Sequence, residues 1–278
     1  MLAEMGVHVW QQPEANAPGA FNSIAKRHDP TLVFAPKDLK TPVEAAGGGA
    51  APAPRPAAAA REPVSSPAAA PVALQPRPTG IDSMDWAELQ EAVASCSACG
   101  LCQGRTQAVL GVGDTRADWM VIGEAPGEEE DRRGEPFVGA SGQLLDNMLK
   151  AVGRSRRPGE PGWGGAPMRG VYIANVIKCR PPGNRNPSPE EVAQCSAYLA
   201  RQVALVQPRL ILALGRFAVQ ALLQTDEPLG RLRGRVHDYR GIAVVVSYHP
   251  AYLLRSLPEK AKAWADLVLA QQQLRRPG

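Results

Sequence analysis

The chain has 278 residues, with 31 Lys and Arg against 27 Asp and Glu, a net charge of +4 and a pI near 8.9. That is long enough for one sizeable domain plus extra segments, and mildly basic in a way that suits a polyanionic partner without requiring one. No run of 18 apolar residues exists to form a membrane span, and the opening MLAEMGVHVWQQPEANAPG lacks the basic n-region of a secretory leader. A reducing, cytoplasmic setting is therefore expected; a monomer is a separate expectation. The five cysteines then read as metal, catalytic or core residues rather than as disulfides.

Residues 1–34 carry scattered apolar positions (Leu2, Met5, Val7, Val9, Trp10, Phe21) but are too few for a core. They read as an N-terminal tail, either unstructured or a tethered docking peptide anchored by Trp10. Residues 35–80 hold ten of the 27 prolines, the run Gly47–Gly49 and no aromatic residue, so they bury too little area to offset ordering entropy and read as a disordered linker. The folded domain is expected over 81–278.

Within it, Asp85 is placed to cap a helix over WAELQEAVASC. The apolar run WMVIG (119–123) predicts a strand. Leu144, Leu145, Met148, Leu149 and Val152 recur at helical spacing across 141–152. VYIANVI (171–177) predicts a second strand. Ser188-Pro189-Glu190-Glu191 supplies an N-cap, an N1 proline and a capping-box glutamate for a helix reaching about Val206. LILAL (210–214) is a third strand, 216–223 a helix, IAVVVS (242–247) a fourth strand, and 260–274 a last helix. Near-continuous apolar strands alternating with helices predict a three-layer α/β/α sandwich around a four-stranded parallel sheet. Ligands of such sheets bind beyond the strands' carboxyl ends, which points to the loops after Gly123, Ile177, Leu214 and Ser247. All but the loop after Leu214 carry unusual residues.

Cys96 and Cys99 form a CxxC ahead of the first strand, Cys179 follows the second, and Cys195 lies in the next helix. Four thiolates suit zinc or an iron–sulfur cluster, and spacing alone does not separate the two. Cys102 reads as an ordinary thiol, with substitution for Cys99 as the alternative.

The loop GEAPGEEED (123–131) followed by GEPFVG (134–139) exposes backbone N–H groups able to hold an anion or read a carbonyl. Phe137 lies off any amphipathic stripe and reads as a stacking platform or a core plug. At least one carboxylate of the acidic run 128–131 is expected to face inward. Asn175, near the end of an apolar strand, needs an amide partner; it suits either local backbone or the O4 and N3–H edge of a pyrimidine. His249, fixed by Pro250 at the end of the fourth strand, suits either donation to an oxygen where charge develops or a structural role. Leu253 and Leu254 read either as a wedge into a duplex or as a helix start packing inward. Lys178, Arg180, Arg185, Arg231, Arg233, Arg235 and Arg255 are candidates for phosphate contacts. The Gly/Pro/Arg-rich stretch 154–169 reads as a surface loop.

Together these segments resemble family 4 uracil-DNA glycosylases, the iron–sulfur type. The carriers are CSAC (96–99), GEAPGEEED, GEPFVGASGQLL (134–145), NVIKCRPPGNRNP (175–187), Cys195 and HPAYLLR (249–255), in family order. The resemblance implies a [4Fe–4S] cluster on Cys96, Cys99, Cys179 and Cys195. It implies excision of uracil from single- or double-stranded DNA by hydrolysis of the N-glycosidic bond. Phe137 would then stack on the base, Asn175 read its edge beside Gly123, and His249 steady the leaving anion. Glu130 would organise the site or the attacking water, with Glu124 a second candidate, because Ala125 stands where related families carry a carboxylate or amide. Independently of the resemblance, Leu253, Leu254, Arg255 and Arg180 read as the residues that face DNA; residues 1–80 fall outside it, and a replication or repair protein docking on the tail is a separate expectation. The alternatives are a non-enzymatic iron–sulfur adaptor, or a glycosylase for another deaminated base such as hypoxanthine or xanthine.

Overall fold

A computed structural model describes residues 74–162 and 165–275. The tail and all but the last residues of the linker lie outside the described residues. Near the end of the linker, Gln75 N–H donates to Ser97 O (3.1 Å). The Arg77 guanidinium reaches the carbonyls of Ala193 and Gln194.

The elements in chain order are α1 (Trp86–Ala94), β1 (Val112–Gly113), β2 (Trp119–Gly123), α2 (Glu128–Arg133), α3 (Ala140–Ala151), β3 (Arg154–Ser155), β4 (Arg169–Gly170), β5 (Tyr172–Asn175), α4 (Pro189–Val206), β6 (Leu210–Leu214), α5 (Arg216–Leu223), α6 (Leu229–Leu232), β7 (Val236–Tyr239), β8 (Ile242–Ser247), α7 (Pro250–Arg255) and α8 (Lys260–Arg275). Both expected caps form. Asp85 and Glu88 close a capping box on α1, and Ser188 and Glu191 close one on α4.

The main sheet runs β1-β5-β2-β6-β8-β7. Its four central strands are parallel and are the four read from the sequence. Two antiparallel edges extend it, β1 on β5 and β7 on β8. These edges escape a search for apolar runs because one spans two residues and the other, VHDY, is only half covered.

Side chains alternate along each central strand, and the alternation builds two cores. Met120, Ile122, Ala174, Ile211, Ala213, Val244 and Val246 pack with α4 and α5. Trp119, Val121, Ile173, Leu210, Leu212 and Val245 pack with α3 and α8. Both faces are covered, as a parallel sheet requires. The register sets Gly123 beside Asn175 and Leu214 beside Ser247, so the carboxyl ends of all four strands open at one edge. The stretch 154–169 is more ordered than its composition suggests. It begins and ends in the small parallel pair β3–β4, and Arg154 is buried against Asp118 with its guanidinium 4.5 Å from the Trp119 ring centroid.

Candidate active site

At the carboxyl ends of the strands lies a cleft of about 610 Å3, lined by residues of all four strand-end loops. A larger cleft of about 710 Å3 sits between α4, α5 and the β7 turn, away from this edge, and shares no lining residue with it. The polar groups that converge in the first cleft single it out.

Asn175 is 2 % exposed, and its Oδ1 is buried without a hydrogen-bond partner. A buried acceptor left unpaired costs about 1–3 kcal/mol, so Asn175 Oδ1 is an acceptor of this cleft open to a bound group. Phe137 lies beside it. A Cβ added at Gly123 would stand 2.5 Å from both Asn175 Oδ1 and Phe137 Cζ. Glycine there is what lets the ring and the amide share the end of β2. Phe137 holds φ +56°, a left-handed conformation that costs a bulky residue about 1–3 kcal/mol. Gly142 in α3 leaves room for its backbone, since a Cβ there would overlap the Phe137 carbonyl oxygen.

His249 caps α7. The Ala251 N–H donates to its Nδ1 (3.2 Å), which leaves the ring proton on Nε2. The imidazole stacks on Phe137 with centroids 5.4 Å apart. Burial lowers its pKa to about 4; Glu130 opposes the shift and Arg255 adds to it. His249 is thus a neutral donor at physiological pH.

The inward carboxylate of the acidic run is Glu130, joined by Asp131, both buried in the short helix α2. Glu130 Oε2 accepts from Gly127 N (3.1 Å), and Oε1 accepts from Val138 N (3.0 Å) and Gly139 N (3.3 Å). It therefore ties the GEAPG loop to the loop carrying Phe137. Asp131 takes the Thr106 N–H on both oxygens, linking this helix to the segment after the CxxC. Glu124 sits at the N-terminus of α5, where Phe217 N donates to its Oε1 (3.3 Å), and burial raises its carboxyl. The loop after β6 thus does contribute. A Cβ at Gly215 (φ +90°) would collide with Glu124 Oε1 and stand 3.1 Å from His249 Cβ. Sequence reasoning passes over this glycine because its role is the room it leaves; the available signal is Gly-Arg-Phe directly after a buried strand.

The cysteines gather behind the site. None is disulfide-bonded, and Cys96, Cys99, Cys102, Cys179 and Cys195 line one small cleft with Arg105 and Lys178. Among the described residues they share this cleft without three such side chains closing on a single point. Burial pushes the Cys195 thiol up to about 12 and raises Cys179, whose Sγ accepts from Arg105 Nη1 (3.0 Å). Arg105 beside Cys179 and Lys178 beside Cys195 oppose that rise and favour the thiolate forms. Lys178 is itself buried; its Nζ donates to Asn175 O (2.7 Å) and Gln202 Oε1 (2.5 Å).

The model of the uracil DNA glycosylase superfamily matches residues 110–268. The chain belongs to that superfamily. It is 40% identical over 182 residues to a type-4 uracil-DNA glycosylase of Archaeoglobus fulgidus, covering 63% of this chain and 84% of the relative. It is 39% identical over 194 residues to the type-4 enzyme of Pyrobaculum aerophilum, covering 67% and 93%. A type-5 uracil-DNA glycosylase of Thermus thermophilus is 37% identical over 153 residues, covering 51% and 68%. The type-4 relatives match the resemblance drawn from the motifs.

In this member of the superfamily several residues expected to face DNA do not. Leu253 is 0 % exposed and packs in the core with α3 and α8, because α7 turns it inward; Leu254 is 41 % exposed beside exposed Tyr252. Lys178 is held by Asn175 O and Gln202, and Arg233 by buried Asp266, so neither faces a phosphate. Arg180 is partly buried and bonds Asn184 Oδ1 and Glu128 Oε2. Arg185 pairs with Glu191. Arg255 is exposed at the mouth of the cleft. No helix among the described residues is long and apolar enough to cross a membrane.

Proposed function

We propose that this chain is a monofunctional uracil-DNA glycosylase that flips uracil out of DNA and hydrolyses its N-glycosidic bond, leaving an abasic site and opening base excision repair. The observation that carries the reading is the unpaired, buried Asn175 Oδ1 beside the Phe137 ring. Uracil presents N3–H to that oxygen and O4 to the Asn175 amide nitrogen. Cytosine presents an unprotonated N3 and an amino group, leaving both atoms facing the wrong partner.

Arg255 at the cleft mouth meets a phosphate, and Leu254 with Tyr252 occupies the space left in the stack. Phe137 stacks on the flipped base. As the bond to C1′ stretches towards an oxocarbenium sugar, negative charge grows on the uracil ring. Neutral His249 donates an Nε2–H hydrogen bond to it from its place stacked on Phe137. Glu130, with both oxygens engaged by backbone amides, holds the loops. Glu124, which lines the cleft beside Gly215, is the residue to orient the water that adds at C1′. No lysine lines the cleft among the described residues, so no Schiff base forms and the strand is not cut.

Cys96, Cys99, Cys179 and Cys195 are the residues to hold a [4Fe–4S] cluster; the motif resemblance supports that set, and the four share one cleft with Cys102 and Arg105. When bound, such a cluster supplies a cross-link among the CxxC segment, the loop after β5 and α4. The replication or repair partner of the tail is a further part of this reading and concerns residues outside those described.

The test is base release from uracil-containing oligonucleotides by anaerobically purified protein, beside Asn175→Ala. Wild type is expected to release uracil, with kcat/KM lower by about 100- to 1,000-fold in the variant. No release of uracil, hypoxanthine or xanthine by protein with its cluster absorbance intact overturns the reading and leaves a DNA-binding adaptor.

A further inference from the structure

Phe137 is the residue on which stacking depends, yet its backbone lies in a region that bulky side chains avoid (φ +56°). Something must hold it there. On one side Glu130 takes the N–H groups of Val138 and Gly139 that follow the ring. On the other side stands Arg156, from the stretch just after β3. Its Nη1 donates to Pro136 O and its Nη2 to Phe137 O, both at 2.9 Å, while Nε donates to Asp146 Oδ1 (2.8 Å) on α3. A planar fork that meets two successive carbonyls fixes the orientation of the peptide between them. The side chain is 10 % exposed and all three of its nitrogens are engaged, so it is not placed to meet a phosphate.

We infer that Arg156 is a positioning residue for base recognition: its clamp on the Pro136 and Phe137 carbonyls keeps the stacking ring against His249 and over the Asn175 amide. The inference rests on the proposed glycosylase activity. Acidic Glu130 and basic Arg156 grip the same four-residue segment from opposite ends of its peptide dipoles. β3 and β4 anchor the segment that delivers Arg156, so a stretch that reads as a surface loop acts on the active site. Lysine keeps the charge but offers one nitrogen where the clamp uses three.

The test is a double-mutant cycle on the full chain with its cluster intact, comparing wild type, Arg156→Gln, Phe137→Ala and the double variant for kcat, KM and melting temperature. Arg156→Gln is expected to lower kcat/KM by about 10- to 100-fold. In the Phe137→Ala background the same change is expected to cost less than about twofold, since the ring it positions is gone. The slope of log kcat/KM against log salt stays as in wild type. If Arg156→Gln does not fold, Arg156→Lys is put through the same cycle, with a smaller loss expected that again vanishes without Phe137. Equal losses in both backgrounds, no loss at all, or a salt slope smaller by about one overturn the inference. Wild type that releases no uracil overturns instead the glycosylase reading on which the inference rests.

Discussion

Ala251 gives its N–H to Nδ1 of His249, so the imidazole carries its proton on Nε2, and burial lowers its pKa to about 4. An unfolded chain protonates the same ring near about pH 6.5. Acidification from about 6.5 towards 4 therefore favours the unfolded state, which takes up the proton, and the stability contribution present above that range is lost across the window. Catalysis should follow the folded value. The His249 contribution to kcat is expected to stay flat from about pH 8 to 5 and fall only towards 4, measured as a pH–rate profile against His249→Gln. An acid limb centred at about 6.5 would show that the ring is solvated and not the neutral donor described. Asn175 and His249 were legible as candidates because a polar amide in an apolar strand and a His-Pro at a strand end are unusual. The residue pattern alone left Glu130 as one of four acids, and only the family resemblance singled it out, because nothing in a run of like residues tells which one the backbone amides will face.

At the scale of elements, α7 carries two adjacent leucines with opposite roles. Leu253 fills the core against α3 and α8, whereas Leu254 projects to solvent beside Tyr252. Leu253→Ala is expected to destabilise the fold by about 2–5 kcal/mol. Leu254→Ala is expected to change stability by no more than about 0.5 kcal/mol. It should also lower uracil release from duplex by about tenfold, equivalent to about 1.4 kcal/mol, with a smaller loss on single strands, where no stack needs filling. Denaturant melts and parallel assays on both substrates separate the two; equal losses on single strand and duplex would remove Leu254 from the wedge. Strand cores and α4 were readable because apolar runs and a capping box are local signals. The short helix α2 was not, and α7 was only one of two readings of Leu253 and Leu254, because tertiary contacts make both: Glu130 under three backbone amides, and the His249 ring at an N-cap. Lys178 illustrates the same limit, since a lysine beside a cysteine reads as surface charge until Gln202 and Asn175 O are seen to enclose it.

For the whole molecule, the parallel sheet puts recognition at one edge and the cysteines just behind it. The segment after the CxxC joins the two regions through neighbouring residues: Arg105 donates to Cys179 Sγ, and the Thr106 N–H donates to Asp131 on α2. The cysteine set joins segments distant in the chain, so its geometry was not readable from spacing, and Cys102 shares the cleft with the four expected ligands. Cys99→Ser is expected to abolish the cluster's visible absorbance and lower the melting temperature, whereas Cys102→Ser retains both. Bleaching by Cys102→Ser alone would reassign the ligand set. The central claim is that Asn175 Oδ1 awaits the N3–H of uracil, and it is tested most directly with DNA carrying N3-methyluracil. Wild type is expected to release uracil and to discriminate against the methylated base by about 100-fold or more, with the ratio collapsing in Asn175→Ala. Equal release of both bases by wild type would contradict the account.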